Sequence, residues 1–125
     1  MKGRRILVVD DDPDVLLFLT RLLQRTGYTV LTALDAAQAV TQAHQQAPDL
    51  IVTDMTMPAG GGLSILARLT RSTETGTIPI IILTGSDDPE LEARAQAAGV
   101  RCVLRKPCDN AVLLESIKTA LPEGG

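Results

Sequence analysis

Five short apolar runs, rich in β-branched residues and each followed by a segment of helical character, divide the 125-residue chain into repeating units. They are Arg5 to Val9 (RILVV), Tyr28 to Ala33 (YTVLTA), Leu50 to Thr53 (LIVT), Ile78 to Leu83 (IPIIIL) and Arg101 to Leu104 (RCVL). Runs apolar at nearly every position read as strands covered on both faces, and helices between them imply a parallel sheet. Crossovers are right-handed, so helices cover both faces only if the winding direction reverses once. The expected fold is therefore α/β and doubly wound, a five-stranded parallel sheet of order 2-1-3-4-5. The reversal falls between the first and third strands.

The helical segments carry their own punctuation. Asp12 followed by Pro13 is an N-cap with proline at the first helical position, and Val15, Leu16, Leu19, Leu22 and Leu23 follow at helical spacing up to the stop at Gly27. Asp35 caps an Ala/Gln-rich second helix that ends before Pro48. Gly62 to Arg71 reads as a third, with Leu63, Leu66 and Leu69 on one side and STETGT as its polar exit. Asp88-Pro89 opens a fourth that ends at Gly99, and Asp109 caps a fifth reaching Leu121. One domain, residues 4–121, results; 122–125 (PEGG) read as a flexible tail or the start of a linker.

Composition narrows the function. Aromatic residues make up only 2% (Phe18 and Tyr28), so the core must be built from Leu, Ile, Val and Ala. A net charge of -3 argues against a nucleic-acid or anionic-membrane surface. Cys102 and Cys108 form no CxxC pair and His44 lies far from them, which leaves no zinc pattern. His44 itself reads as a solvated surface residue in a Gln-rich helix, and Cys102 as a buried strand residue. No apolar run has the length of a membrane span, the N-terminus has no signal-peptide core, and the two cysteines suit a reducing compartment, so the expected location is the cytoplasm.

The chemistry gathers at one edge. In an open α/β sheet, ligands bind beyond the carboxyl ends of the strands, at the point where strand order reverses. Projecting there are Asp10 and Asp11 after strand one, Asp54 after strand three, Thr84 after strand four and Lys106 after strand five. Clustered carboxylates repel unless a cation sits among them, and oxygen ligands without His or Cys specify Mg²⁺ or Mn²⁺ rather than zinc. A lysine and a hydroxyl beside them suit a phosphoryl group with charge spread over its oxygens. The edge reads as a phosphoryl-transfer site with a carboxylate as nucleophile. Gly60-Gly61-Gly62 lacks the spacing of a phosphate cradle and reads as a flexible loop.

Four motifs in order, ILVVDDDPDV, LIVTDMTMP, IIILTG and LRKP, resemble the receiver domains of two-component response regulators over essentially the whole chain. The resemblance implies a flavodoxin-like fold and a signalling switch rather than a conventional enzyme. It implies that Asp54 accepts a phosphoryl group from a histidine kinase or histidine phosphotransfer protein and that the domain catalyses this transfer, and its reversal, on itself. Asp10 and Asp11 would hold Mg²⁺, Asp11 directly, with Asp54 and the backbone carbonyl of Thr56; Thr84 and Lys106 would bind the phosphoryl oxygens. The Lys106-Pro107 bond would be cis. Partners would change at the face formed by the fourth helix, fifth strand and fifth helix, through which a homodimer is also allowed, without nucleic acid or membrane.

Two positions depart from the family pattern. Val103 stands where the family usually carries Tyr or Phe, and MPAGGG replaces the usual MPxMDG. A stiff valine has little volume with which to transmit a signal, so coupling to Leu113 and Ile117 on the output face is expected to be muted. Two other classes fit parts of the pattern. The Asp10-Asp11-Asp12 run satisfies the DxD of haloacid-dehalogenase-type phosphatases, which leaves Asp54 unexplained; a receiver-like interaction module would never meet phosphate.

Overall fold

A computed structural model describes residues 3–54 and 61–121, the side chains of 61–64 excepted. Its strands are β1 (Arg5–Val9), β2 (Thr29–Ala33), β3 (Leu50–Thr53), β4 (Ile80–Thr84) and β5 (Cys102–Arg105). Its helices are α1 (Pro13–Arg25), α2 (Ala36–Gln46), α3 (Gly61–Arg71), α4 (Pro89–Ala97) and α5 (Asn110–Ala120). All pairings are parallel, and the sheet runs β2-β1-β3-β4-β5, the expected order.

Successive strand residues point to opposite faces, so the apolar runs split by parity into two cores. Leu7, Val9, Ile51, Ile80 and Ile82 face α2, α3 and α4, meeting Ala39, Ala43, Ile65, Leu66, Leu69 and Ala95. Ile6, Val8, Leu50, Val52, Ile81 and Leu83 face α1 and α5, meeting Leu16, Leu19, Leu22, Leu23, Leu113 and Ile117. Burial on both sides is why these strands are apolar at every position. No aromatic residue belongs to either buried set.

The caps behave as their residue types dictate. Asp12, Asp35, Asp88 and Asp109 each accept a hydrogen bond from a first-turn amide of α1, α2, α4 and α5 respectively. At α2 the cap is reciprocal: Gln38 donates its amide to Asp35 (2.8 Å) while its side chain accepts from the Leu34 amide (2.8 Å). Gly27 and Gly99 follow α1 and α4 at φ +102° and +92°, the left-handed stop that glycine allows. The α2 helix ends differently, on Ala47 at φ 46°. Pro48 follows, and a residue before proline is pushed out of the right-handed helical region.

Several boundaries differ from expectation: β5 runs Cys102–Arg105 where Arg101 to Leu104 was expected, β4 extends to Thr84, and three starts also shift. The fourth strand begins at Ile80, because the Pro79 carbonyl is taken by the Ile51 amide (3.0 Å) and proline has no N–H to donate. The third helix begins at Gly61, so Gly61 and Gly62 belong to its first turn and not to a loop. The second strand begins at Thr29, since the Tyr28 amide closes the end of α1 on Leu23 (3.1 Å). His44 is exposed, as expected, with its Nδ1 3.2 Å from Glu74. Cys102 is half-buried, because β5 lies at the sheet edge. No helix among the described residues is long and apolar enough to cross a membrane. The tail, 122–125, lies outside the described residues.

Candidate functional site

The reversal of winding falls where β1 and β3 lie side by side, with Val9 opposite Thr53. The next residues, Asp10 and Asp54, therefore emerge together. Backbone bonds hold both: the Asp10 amide donates to Ala33 (3.2 Å) and the Asp54 amide to Val9 (3.2 Å). Asp10 is 3% exposed and Asp54 6%, so both carboxylates are almost withdrawn from water. Asp10 Oδ1 also accepts the Asp12 amide at 3.0 Å, shaping the turn that leads into the α1 cap.

Lys106 joins them from the far side of the sheet. Its amide donates to the Thr84 carbonyl at 2.7 Å, extending the β4–β5 pairing by one residue. Its Nζ then donates to Asp10 Oδ2 at 2.7 Å and to Asp54 Oδ2 at 3.0 Å. One ammonium thus bridges residues 96 and 52 positions away in sequence. Partial burial of that ammonium pulls its pKa down, but the bonds to Asp10 and Asp54 and their charges outweigh it. The net shift is upward, and Lys106 is a firmly protonated cation. The Lys106–Pro107 bond is cis, as expected.

Thr84 ends β4 at the same edge, 3% exposed, and its hydroxyl accepts the Ser86 amide at 3.2 Å. That bond leaves its proton to donate elsewhere. Gly85 has open space around the position a Cβ would occupy. Thr53, buried beneath Asp54, donates its hydroxyl to the Asp54 carbonyl at 3.3 Å.

Of the predicted site residues, the structure brings Asp10, Asp54 and Lys106 into direct contact and sets Thr84 at the same strand ends. Asp11 stands exposed beside them. Thr56 and most of the MPAGGG loop lie outside the described residues. Among those described, no three His, Cys, Asp or Glu side chains gather closely enough to hold an ion by themselves. Magnesium needs no such cage, since it takes one or two carboxylates and keeps several waters. The donors at this edge, hard carboxylate oxygens with one exposed acid to spare, fit that ion.

Two features were not anticipated. Arg105, next to Lys106, pairs with Glu92 of α4 at 2.7 Å and fastens that helix to the sheet. A cleft of about 420 Å³ opens beside Lys106, walled by Val15, Phe18, Leu83, Pro107 and Leu113. The signal for the cleft was Phe18, the one phenylalanine, at a helix position outside the buried stripe. The cysteines show no such activation. Burial pushes both thiols above their ordinary pKa, and at Cys108 the Asp109 charge adds to it.

Residues 6–118 match the family described as the response regulator receiver domain. Protein PilH of Pseudomonas aeruginosa is 37% identical over 117 residues, covering 94% of this chain and 97% of PilH. Other relatives are longer. The chain spans 17% of the sensor kinase/phosphatase CqsS of Vibrio cholerae, at 39% identity over 91% of its own length. It spans 52% of the transcriptional regulatory protein PhoB of Escherichia coli, at 31% identity over 95% of its own length. Among solved structures, the chemotaxis protein CheY4 of Vibrio cholerae superposes with a TM-score of 0.89 at 28% identity, over 95% of this chain and 99% of that one. With the strand order, the acid pair and the bridging lysine beside these matches, the chain belongs to the response regulator receiver domain family and is a signalling switch.

Proposed function

We propose that the domain is a phosphorylatable switch, with Asp54 as the acceptor of a phosphoryl group from a histidine kinase or histidine phosphotransfer protein. The observation that carries this reading is the single ammonium of Lys106 bonded to both Asp54 and Asp10 at the carboxyl ends of the strands. A carboxylate oxygen of Asp54 attacks phosphorus in line; the O–P bond forms as the N–P bond to the donor imidazole breaks, and the bonding pair leaves with that nitrogen. Lys106 turns from Asp54 toward the incoming oxygens, keeping Asp10 as its counter-ion. Thr84 donates its free hydroxyl proton to another of those oxygens. Gly85 leaves the approach open.

Mg²⁺, held by Asp10, Asp11, Asp54 and the Thr56 carbonyl, would neutralise charge on the phosphoryl oxygens. Mn²⁺ has the same ligand preference. Membership of the receiver family favours the switch over the phosphatase reading, and a switch of this kind uses the Asp54 that the phosphatase reading leaves without a role. The output surface is the face of α4, β5 and α5, where Arg105 and Glu92 already join two of the three elements.

Incubation of the protein with a small phosphodonor and Mg²⁺ is the test. One phosphoryl group, labile to hydroxylamine, should be added to the parent and none to Asp54→Asn. Equal modification of the two proteins would falsify the assignment. Asp11→Ala should abolish phosphorylation at low Mg²⁺, and normal phosphorylation there would remove Asp11 from the ligand set.

A further inference from the structure

We propose that the exposed face of α1 is a self-docking surface on which a second copy of this chain lies antiparallel. Asp14, Leu17, Phe18, Arg21 and Arg25 recur at intervals of three and four and line one shallow groove of about 370 Å³. The apolar centre of the groove is in water: Leu17 and Phe18 are each 50% exposed, two of the most exposed large apolar residues among those described. The stripe is acidic at the helix N-terminus and basic at its C-terminus.

That polarity specifies its own partner. When two copies meet about a two-fold axis, residue i faces residue j and j faces i. Pairing Asp14 with Arg25 of the second copy fixes the register, and the same register sets Phe18 against the second copy's Arg21. The axis repeats both contacts, so the arrangement contains two ion pairs and two guanidinium–aromatic contacts. The opposed helix dipoles also favour the antiparallel sense. A parallel arrangement would set Asp14 against Asp14 and Arg25 against Arg25. One helix face buries less than the roughly 1,600 Å² of a standard interface, so the association is weak and reversible. It uses the face of the sheet opposite α4, and its Asp14 and Phe18 also wall the cleft beside Lys106.

Sedimentation velocity over a concentration series, extending to millimolar protein, tests the idea. The parent should self-associate, less so as salt rises. Asp14→Lys and Arg25→Glu should each weaken association roughly tenfold or more, because each places like charges at both ends of the pair. An equimolar mixture of these two variants should associate as well as the parent, since every contact across the mixed pair is again between opposite charges. Phe18→Ser, at a half-exposed site, should also weaken association while circular dichroism stays unchanged. A parent that remains monomeric, including one whose α1 binds only a phosphodonor's helix, overturns the proposal. So does a mixture that associates no better than its components, or association lost through Arg94→Glu on α4 but not through the α1 variants.

Discussion

Lys106 holds together two acids that would otherwise face each other with no charge between them. Deleting one partner of a buried ion pair costs more than a surface pair would suggest, because the remaining charges stay desolvated. The ammonium is 27% exposed, which moderates the loss, so Lys106→Ala should lower stability by about 1–3 kcal/mol in urea titrations without divalent metal. The pH dependence has a definite sign. The folded-state pKa of Lys106 lies above the ordinary 10.5, so its stabilisation is fully present below that value and is lost only as pH rises through the higher folded value. The gap between parent and variant should stay flat from neutral to mildly alkaline pH and close only above 10.5. A gap already closing near neutrality would show that the carboxylates, not the lysine, control it. The members of this site were readable in the sequence because each stands within two residues of the end of an apolar run. Their connectivity was not. That Lys106 bonds Asp10 as tightly as Asp54 depends on how far β5 lies from β1 across two intervening strands, a distance no local pattern carries.

The elements divide by how they are held. Helices α1 and α5 pack large aliphatic side chains into one core, whereas α4 is nine residues long and buries only Ala95. Leu91 and Val100 pack partly beside it, and the Arg105–Glu92 pair ties it to β5. Helix α2 likewise buries only alanines, Ala39 and Ala43, and its end carries strain. An L-residue in the left-handed region costs about 1–2 kcal/mol, while glycine there costs extra chain entropy on folding. Ala47→Gly should therefore stabilise the domain by about 0.5–1 kcal/mol in urea denaturation. A loss of stability would mean that the alanine methyl makes a contact worth more than the strain. The order of elements was legible because capping aspartates and apolar runs agree at nearly every boundary. The misses fall where a residue's backbone bonds are spent across the chain, as at Tyr28 and Pro79, or where glycines read as a loop enter the first turn of α3.

For the whole molecule, the sheet is a partition as much as a scaffold. Val103 packs with Leu91, Ala95 and Val100 on the α4 side, while Leu113 and Ile117 belong to the core behind the sheet. A signal leaving through Val103 therefore reaches α4 first and α5 only through β5 itself. A ligand shifts an equilibrium only by its differential affinity for the two states, and a β-branched side chain has little burial to change. Amide shifts recorded with and without a phosphoryl mimic should be large from Thr84 to Pro89 and small at Val103, Leu113 and Ile117. Changes at Val103 and Ala95 as large as those at Thr84 would show that the valine transmits well. The same partition turns neighbouring residues into separate witnesses. Ile81 and Ile82 are both fully buried and consecutive, yet one methyl looks toward α1 and α5 and the other toward α2, α3 and α4. In a chain with no aromatic ring in either core, isoleucine methyl spectra alone would show which side has moved. Docking on α1 should displace Ile6, Ile81 and Ile117 and leave Ile51, Ile65 and Ile82 in place, and a shift of α4 should do the reverse.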